Sequence, residues 1–369
     1  MFSNDFSSDP RVVMTLDARG TNFRFCAMCQ NRPVTQMIIM PTNGANLNAC
    51  LKSIVAGFVQ IKNECARPPV AISAAFSGFA DYPNGVVEDL PNLPAFRGGV
   101  ALGPMLEDEF NIPVFINNDG DLFTYGEASA GFLPYINGLL EKSGSPKRYK
   151  NLFGFTVGIR FGGGIVRNGE LFTGDNAGTA EVWFLKNKRL PLTKAEERPS
   201  IRSLRDMYAR EAGIPISEAP TPKQIGAIAS GTAQGNQEAA IEAYNRLGEV
   251  VGETIGIALT PIDGLAVIGG GLSYAHQLFF PAIMKELGGC YLDSNGNKIQ
   301  RLISKAFNLN DNAQLGKFLH GEMREIAVPG SDRTIKYDPL RRTGVGISQL
   351  GTRKAIAIGA YAFALKKLS

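Results

Sequence analysis

A hairpin with glycine in its turn occurs twice, and this repeat limits the folds open to the chain. The first copy is TLDARGTNFRF at 15–25, and the second is NLFGFTVGIRFGGGIVRNGELF at 151–172. The first copy is apolar before its turn and alternates between apolar and polar residues after it, and the second reads as a strand, a glycine-rich turn and a strand. Strand–helix alternation follows each hairpin, which is typical of an α/β fold. With 369 residues, the chain is long enough for two domains of this design.

Apolar spacing and turn residues predict the remaining elements. We expect strands at 69–81 and 112–121, and a strand, a triple glycine and a helix within 264–284. Residues 290–345 are polar and rich in turns, so we expect an insertion with short strands of its own. Helical spacing predicts helices at 45–67, 98–110, 122–142, 200–213, 223–232, 235–260 and 351–365.

Composition and charge argue against several classes of protein. A hydrophobic content of 44% and a charged content of 20% describe an ordinary globular protein. The net charge is +4 and the basic residues are scattered along the chain, so we expect no nucleic-acid partner. The start, MFSNDFSSDP, lacks the basic and apolar segments of a signal peptide, and no apolar run approaches the roughly 18–20 residues that span a bilayer. We therefore expect a cytoplasmic protein without a membrane partner.

The five cysteines predict neither zinc binding nor redox chemistry. Cys26 and Cys29 form a CxxC spacing inside a predicted strand, where their side chains point to opposite faces. We therefore interpret them as buried free thiols, and no second pair completes a zinc site. The two histidines, His276 and His320, flank no serine or cysteine nucleophile, so acid–base chemistry falls to a carboxylate.

Three glycine-bearing turns, at 17–21, 158–164 and 269–271, each follow a predicted strand. An acid followed by Gly-Thr offers backbone N–H groups, a hydroxyl and a carboxylate to a phosphate with Mg²⁺. None of the turns fits the P-loop pattern, and GGGLSY at 269–274 has Tyr274 where a dinucleotide fingerprint needs glycine. Each turn alone is also typical of a tight loop without a ligand. Together they predict one nucleotide site in a cleft between two domains.

The polar cluster INNDGD at 116–121 ends a predicted strand, which is where open α/β sheets bind ligands. Asn118 can exchange hydrogen bonds with a pair of hydroxyls. Asp119 can accept the proton of a hydroxyl that attacks a phosphoryl group. An Asx turn or helix N-cap explains the same residues without a ligand, and both interpretations stay open.

The order of these motifs resembles the ROK family of bacterial sugar kinases and sugar-responsive repressors. The resemblance covers nearly the whole chain, and it rests on Asp-x-x-Gly-Thr at 17–21, Ser-Gly-x-x-Asp at 77–81, Asn118-Asp119, Gly-x-x-x-Gly-Gly-Gly at 158–164, Glu181, Gly-Gly-Gly at 269–271 and the small-residue C-terminal helix. It implies an α/β, actin/hexokinase-like fold with two RNase H-like domains that close over a sugar and ATP. The implied domains are 1–121 with 350–369, and 122–349 with the insertion.

The resemblance also implies roles for particular residues. Asp119 would be the catalytic base, and Asp17 would help to hold Mg²⁺. The sugar contacts would be Asn118, Glu181, Gly78 and Asn92. The phosphates would lie on Gly20, Thr21, Gly158 and Gly162, and adenosine on Gly269, Gly270 and Gly271. The implied partners are a small-molecule sugar and a nucleotide, and a homodimer is compatible with the sequence.

The chain departs from the family pattern in its phosphate turns and in its sugar loop. Arg19 stands where the family's DxGGT has glycine, and Ile159 and Arg160 stand within the family's GTGxGGG. The family's Gly-Glu-Ile-Gly-His is Ala180-Glu181-Val182-Trp183-Phe184 here. Its histidine and the cysteine-rich zinc loop that follows are missing, so we expect no zinc.

The two arginines divide the functional hypotheses. A side chain inside a phosphate turn obstructs the close approach that glycine permits, which predicts an impaired kinase or a sugar-binding regulatory protein. We favour this interpretation, because both arginines are attached inside the turns themselves. An arginine near the γ-phosphate can instead stabilise the transferring charge, which predicts an active ATP-dependent sugar kinase. Only about ten residues precede the first predicted strand, so we expect no N-terminal helix-turn-helix of the repressor type.

Overall fold

The structure is a computed structural model that describes residues 6–78, 80–88, 90, 92–187, 192–195 and 201–369. The described residues fall into two compact units. The first takes its residues from Met1–Pro134, Gly164–Ala180 and Gln349–Ser369, and the second from Tyr135–Gly163 and Glu181–Ser348.

The bounds of the elements follow the chain. The strands are β1 (Val12–Asp17), β2 (Asn22–Cys29), β3 (Arg32–Pro33), β4 (Ile38–Pro41), β5 (Pro69–Phe76), β6 (Ala80–Asp81), β7 (Val86–Val87), β8 (Val100–Ala101), β9 (Val114–Asn118), β10 (Leu152–Val157), β11 (Phe161–Arg167), β12 (Glu170–Leu171), β13 (Leu265–Gly269), β14 (Cys290–Leu292), β15 (Lys298–Gln300), β16 (Lys305–Asn308), β17 (Arg324–Ala327), β18 (Thr334–Tyr337) and β19 (Arg342–Ile347). The helices are α1 (Leu47–Glu64), α2 (Leu102–Phe110), α3 (Asp119–Ser129), α4 (Phe132–Lys142), α5 (Ile201–Ala212), α6 (Pro222–Ala229), α7 (Gln237–Ile262), α8 (His276–Leu287), α9 (Asn312–His320) and α10 (Thr352–Lys367).

The first unit is built on a mixed sheet in the order β3–β2–β1–β5–β9, with β4 also paired to β2. β1 is antiparallel to β2 but parallel to β5, and β5 is parallel to β9. β1 and β5 are buried along almost their whole length, as the central strands of a covered sheet are. The core on one face gathers around Phe25 and Phe58, whose rings meet edge to face at 5.1 Å.

Helices α3 and α10 of this unit approach each other unusually closely because glycine lies at their crossing. A Cβ at Gly126 would be 1.9 Å from the Ala355 carbonyl oxygen, and one at Gly359 would be 1.8 Å from that of Leu122. No side chain fits at either point, so the two backbones themselves are in contact. The helix that begins at Asp119 is therefore fixed against the C-terminal helix.

The second sheet has the order β12–β11–β10–β13–β19–β16. β13 is parallel to β10 and to β19, and β16 is parallel to β19. As in the first sheet, two adjacent strands joined by a turn, β10 and β11, come first along the chain, and parallel strands follow. The repeated hairpin, the α/β class and the two RNase H-like sheets predicted from the sequence are thus confirmed.

Three predicted elements differ from the structure. Residues 290–345 are not one insertion, because β16 and most of β19 are strands of the central sheet, and only the hairpins β14–β15 and β17–β18 form separate sheets. The predicted helix at 122–142 is two helices, which end and restart around Gly131. The predicted helix at 98–110 begins only at Leu102, after Gly98 and Gly99 at positive φ.

The five cysteines are free thiols; the predicted burial is confirmed for Cys26 and wrong for Cys29. Cys26 and Cys50 are buried, Cys29 and Cys65 are half-buried, and Cys290 is exposed. Burial raises the pKa of the Cys50 thiol to about 11, so this thiol stays protonated and unreactive at neutral pH. None of the helices within the described ranges combines the length and the hydropathy that crossing a bilayer requires.

Candidate active site

The polar residues of the first unit collect at one edge of its sheet. β1, β5 and β9 are parallel, with Asp17 beside Ala75 and Phe76 beside Asn118 in their registers. Their carboxyl ends therefore lie together, as in other open α/β sheets that bind ligands. This brings the 17–21 turn, Ser77–Gly78 and Asn118–Asp119 to the same edge.

Asn118 is the N-cap of α3, and Asp119 is the first residue of that helix. The Asn118 Oδ1 accepts a hydrogen bond from the Gly120 backbone N–H at 2.7 Å, the usual role of asparagine at this position. The N-cap interpretation is confirmed. The amide NH₂ of Asn118 still carries donor hydrogens, so its predicted contact with a sugar hydroxyl stays a prediction.

Arg19 turns back onto Asp17. Its Nε and Nη2 donate to Asp17 Oδ1 and Oδ2, both at 2.8 Å, and its backbone N–H donates to Oδ1 at 3.1 Å. The same Nε lies 3.7 Å from Asp119 Oδ2. One guanidinium thus links the two carboxylates that the sequence singles out as metal ligand and as base.

The charges of this cluster influence one another. Burial raises the pKa of the Asp119 carboxyl, and the Arg19 charge and a hydrogen bond from the Ser77 side chain oppose that rise only in part. Burial also disfavours the charged form of Arg19, but its hydrogen bonds and attraction to Asp17, with the further attraction of Asp119, raise its pKa overall. Arg19 therefore stays a cation, while Asp119 takes up a proton more readily than an exposed aspartate does.

The 17–21 turn is open next to Arg19. Gly20 has φ +87°, a conformation that favours glycine, and a Cβ there would meet no described atom within 4 Å. Arg19 itself has no positive φ, so the arginine causes no backbone strain. Asn92 Nδ2 holds the turn by donating to the carbonyls of Ala18 and Gly20 at 3.4 and 3.2 Å. Thr21 is exposed.

Gly78 follows β5 and needs its glycine for two reasons. Its φ is +125°, and a Cβ there would be 2.6 Å from Leu90 Cδ2. The hydroxyl of Tyr82 donates to the Gly78 carbonyl. Gly78 therefore shapes the loop beside Asp119, and its contact with a sugar remains a prediction.

In the second unit, two of the glycine turns meet. β10 and β13 are parallel neighbours, so Gly158 and Gly269–Gly271 lie at the same edge of the second sheet. A Cβ at Gly158 would be 3.3 Å from the Gly271 backbone nitrogen, and one at Gly270 would be 2.3 Å from the Val157 carbonyl oxygen. The structure thus brings together the glycines predicted for phosphate and adenosine in this unit.

The residues that depart from the family pattern in this turn are exposed. Ile159 is 78% exposed, Arg160 is also exposed, and neither has a positive φ. The Gly158 backbone N–H donates to the Arg160 carbonyl at 3.0 Å, which closes the turn without strain. Isoleucine in place of the family's threonine at 159 and arginine in place of its glycine at 160 therefore introduce no backbone strain.

Gly162 and Gly164 lie in β11 rather than in a turn. A Cβ at Gly162 would be 2.9 Å from Thr156 Oγ1, and one at Gly164 would be 2.5 Å from both the Gly120 carbonyl oxygen and Thr124 Oγ1. Close packing alone explains glycine at 164, where β11 passes the start of α3. The sequence placed the turn at 158–164, whereas the strand already begins at Phe161.

Trp183, at the position of the family's second glycine, holds Glu181, and Phe184 stands where the family has histidine. The Trp183 Nε1 donates to Glu181 Oε2, and the rings of Trp183 and Phe184 lie 3.9 Å apart. The Lys194 ammonium lies over both rings, at 4.6 and 4.9 Å from their centroids, in cation–π geometry. The Glu181 carboxylate is thereby oriented.

The residues present do not fit a metal ion at Asp17. Both of its carboxylate oxygens accept hydrogen bonds from Arg19, whereas Mg²⁺ needs oxygen ligands at about 2.0–2.1 Å. Among the residues that the structure describes, no group of three or more histidine, cysteine, aspartate or glutamate side chains is placed to hold a metal.

Two residues of this site were assigned no role from the sequence. Ser77 supports Asp119, and its position directly after a buried strand was a usable signal. Lys194 is separated from Trp183 in the sequence, and no sequence pattern pairs them.

The two sheets define an actin/hexokinase-like fold, and comparisons with known proteins name the family. The ROK family model matches residues 13–183. The structure of a glucokinase from Parabacteroides distasonis is 47% identical, covers 98% of this chain and 99% of that chain, and superposes with a TM-score of 0.89. This chain belongs to the ROK family.

Two further relatives are more distant. An N-acetyl-D-glucosamine kinase from Vibrio cholerae is 27% identical over 187 residues, which is 48% of this chain and 56% of that kinase. The chain thus matches about half the length of this curated relative. A ROK glucokinase from Streptomyces griseus, solved with glucose and AMPPNP, is 16% identical with a TM-score of 0.59 and covers 95% of this chain and 97% of that chain. That likeness shows the fold alone.

Proposed function

We propose that this protein is an ATP-dependent kinase that phosphorylates a hydroxyl group of a hexose or an N-acetylhexosamine. The observation that carries the proposal is Asp119, a partly buried carboxylate at the carboxyl edge of the first sheet, supported by Ser77 and facing Arg19. The 47% identity to a glucokinase along nearly the whole chain supports the same activity. ATP meets such an enzyme in the cytoplasm, so we propose that location.

The proposed reaction is an in-line phosphoryl transfer. The sugar hydroxyl oxygen forms a bond to the γ-phosphorus of ATP as the bond from that phosphorus to the β,γ-bridging oxygen breaks. The electron pair of the broken bond stays on ADP, and the hydroxyl proton passes to the Asp119 carboxylate. Asn118, Glu181, Gly78 and Asn92 hold the sugar in this proposal. Gly20, Thr21, Gly158 and Gly162 line the phosphates, and Gly269, Gly270 and Gly271 lie against adenosine.

The geometry of the first turn favours an active kinase over an impaired one. The hypothesis of impairment rests on Arg19 and Arg160 filling the space of the phosphates. The Arg19 guanidinium instead lies on Asp17, and the space above Gly20 is open. The experiment is an ADP-release assay of the wild-type chain with ATP and a panel of hexoses and N-acetylhexosamines. Sugar-dependent ADP supports the kinase, and its absence with every sugar supports the impaired, sugar-binding alternative.

The pH dependence of the reaction follows from the Asp119 environment. Burial raises the pKa of this carboxyl, opposed in part by Arg19 and Ser77 and reinforced by the nearby Asp17 charge. The base must be ionised to accept a proton, so kcat/KM falls about tenfold per pH unit below the raised pKa. We expect this loss to begin above the ordinary aspartate value of about 3.9. Rates between roughly pH 4 and 8, with circular dichroism to confirm that the protein stays folded, test this. A flat profile across this range contradicts the role of Asp119.

Trp183 gives an optical test of the sugar site, because it is the single tryptophan of the chain. Its indole donates to Glu181, so a sugar that engages Glu181 changes the environment of the ring. We expect a saturable change in emission with the correct sugar, and no response in Glu181→Ala. Calorimetry on the same samples is the control. If neither the emission nor the calorimetric heat changes up to millimolar sugar, Glu181 is not supported as a sugar contact.

A further inference from the structure

We propose that the Arg19 guanidinium, rather than a metal ion bound by Asp17, supplies the positive charge that contacts the transferred phosphoryl group. Asp17 is then a positioning residue for Arg19. The inference rests on the proposed kinase activity and assigns a further catalytic residue to it.

The first step of the inference is that both carboxylate oxygens of Asp17 are engaged by Arg19. Its Oδ1 accepts from the Arg19 backbone N–H and from Nε, and its Oδ2 accepts from Nη2. A divalent ion would have to break this two-pronged contact, and it would lie beside a guanidinium that stays charged. Such charge-assisted, bidentate pairs are among the stronger hydrogen-bonded contacts in proteins.

The second step is that Arg19 retains donors for a ligand. A guanidinium has five N–H donors, and the contact with Asp17 uses two of them. The other three have no hydrogen-bond acceptor among the described residues. The group lies between Asp17 and Asp119 and next to the open face of Gly20. A phosphoryl group attacked by a hydroxyl that is bound to Asp119 would lie within its reach.

The third step is the chemistry. During transfer, negative charge spreads over the equatorial oxygens of the phosphoryl group and collects on the departing ADP oxygen. Arg19 can donate to the equatorial oxygens while Asp17 keeps its plane fixed. Its charge also favours the ionised form of Asp119. A single cation would thus serve both the base and the transferred group.

The chain contains a matched control for this contact. Arg11 and Asp9 form the same two-pronged contact with the same Asp-x-Arg spacing, with Nε to Oδ1 at 3.1 Å and Nη2 to Oδ2 at 2.7 Å. The contact is therefore a local property of the spacing. What distinguishes Arg19 is the second carboxylate, Asp119, at 3.7 Å.

Steady-state kinetics test the catalytic part. We expect Arg19→Ala to lower kcat by about 10³-fold, the low end for an arginine that stabilises phosphoryl transfer, with a smaller change in the KM for sugar. Arg19→Lys keeps the charge but cannot form the two-pronged contact with Asp17. Its kcat should therefore lie between those of Arg19→Ala and wild type. Arg11→Ala should leave kcat within about twofold of wild type, since it removes the same local contact away from the site. A rise in kcat/KM for ATP in Arg19→Ala overturns the proposal and makes Arg19 an obstruction.

Manganese binding tests the metal part without any turnover. Mn²⁺ is titrated against the nucleotide-free protein and followed by electron paramagnetic resonance. We expect wild type and Asp17→Asn to bind it equally weakly. Arg19→Ala leaves two neighbouring carboxylates without their cation, so it should bind Mn²⁺ at least about tenfold more tightly. Adding Asp17→Asn to that variant should abolish the gain.

The two experiments separate this inference from the proposed function. If the wild type phosphorylates no sugar, the kinase proposal fails, and the Mn²⁺ titration still decides what Asp17 binds. Wild-type Mn²⁺ binding that Asp17→Asn abolishes overturns the inference even in an active kinase. Thermal unfolding of each variant confirms that the folded protein is compared, and Arg19→Lys provides a folded comparison if Arg19→Ala is unstable.

Discussion

Replacing Asp119 by asparagine is expected to lower kcat by at least about 100-fold, the low end for loss of a general base. The amide has nearly the same shape but cannot accept the hydroxyl proton. Asn118 and the α3 N-cap are untouched by the change, so the KM for sugar should shift much less. Steady-state rates of ADP release, measured with saturating sugar and ATP, give the comparison.

A matched control for this variant is Asp108→Asn, which makes the same chemical change at an exposed position of α2. Its kcat should equal that of wild type. If Asp119→Asn also keeps nearly all of its kcat, Asp119 has no part in the proton transfer and the proposed mechanism is wrong. A loss confined to KM would instead assign Asp119 to sugar binding.

Replacing Glu127 by alanine is expected to lower the free energy of unfolding by about 3 kcal/mol or more. Glu127 is completely buried, and its carboxylate accepts from the backbone N–H groups of Phe132, Gln349 and Leu350 at 2.8, 3.3 and 3.2 Å. Alanine leaves these donors without this acceptor, and a buried donor such as the Phe132 N–H costs about 1–3 kcal/mol when it is unpaired. Urea unfolding of wild type and variant measures the difference.

The position of Glu127 connects stability to the site. It lies near the end of α3, the helix that begins at Asp119, and joins it to the segment that leads into α10. Glu127→Gln keeps one oxygen acceptor, so it should lose less stability than alanine. Glu109→Ala, at an exposed position of α2, is the surface control and should change stability by less than about 0.5 kcal/mol. Equal stabilities for Glu127→Ala and Glu109→Ala would show that the buried hydrogen bonds contribute nothing.

Much of the fold could be predicted because local patterns specify it. The hairpin around residues 17–21 and the long amphipathic helix α7 follow directly from the alternation of apolar residues and from their helical spacing. The glycine at 131 shows the limit. It fits against the Glu127 carboxylate, with a Cβ there only 2.3 Å from Oε2, and only the folded structure reveals that the helix stops here.

The place of β16 and β19 in the second sheet could not be predicted from local patterns. β19 pairs with β13, far away in the sequence, and β16 pairs with β19. Parallel pairing of this kind joins strands that are distant in the sequence. The local sequence of 290–345 is mostly polar and rich in turns, and it therefore predicted an insertion. The hairpins β14–β15 and β17–β18, whose pairing is local, match the short strands that we expected.

The candidate site was predicted in its residue types but not in its contacts. Asp17, Arg19 and Asp119 stand out in the sequence because they interrupt or end strands. Which way the Arg19 side chain turns depends on a choice between rotamers, and the sequence favoured obstruction of the phosphates over binding to them. The two-pronged contact of Arg19 with the Asp17 carboxylate is a third arrangement, different from both. The role of each residue toward sugar and nucleotide remains a prediction.

The most direct test of the central claim, that this chain is an ATP-dependent hexose kinase, is phosphorus NMR of the wild-type protein with ATP, magnesium chloride and either glucose or N-acetylglucosamine. Our account predicts a sugar-phosphate resonance that grows in step with ADP, depends on the sugar, and is lost in Asp119→Asn. ATP that stays intact with both sugars and across a wider panel of hexoses, in a protein that calorimetry shows to bind no ATP, would contradict it.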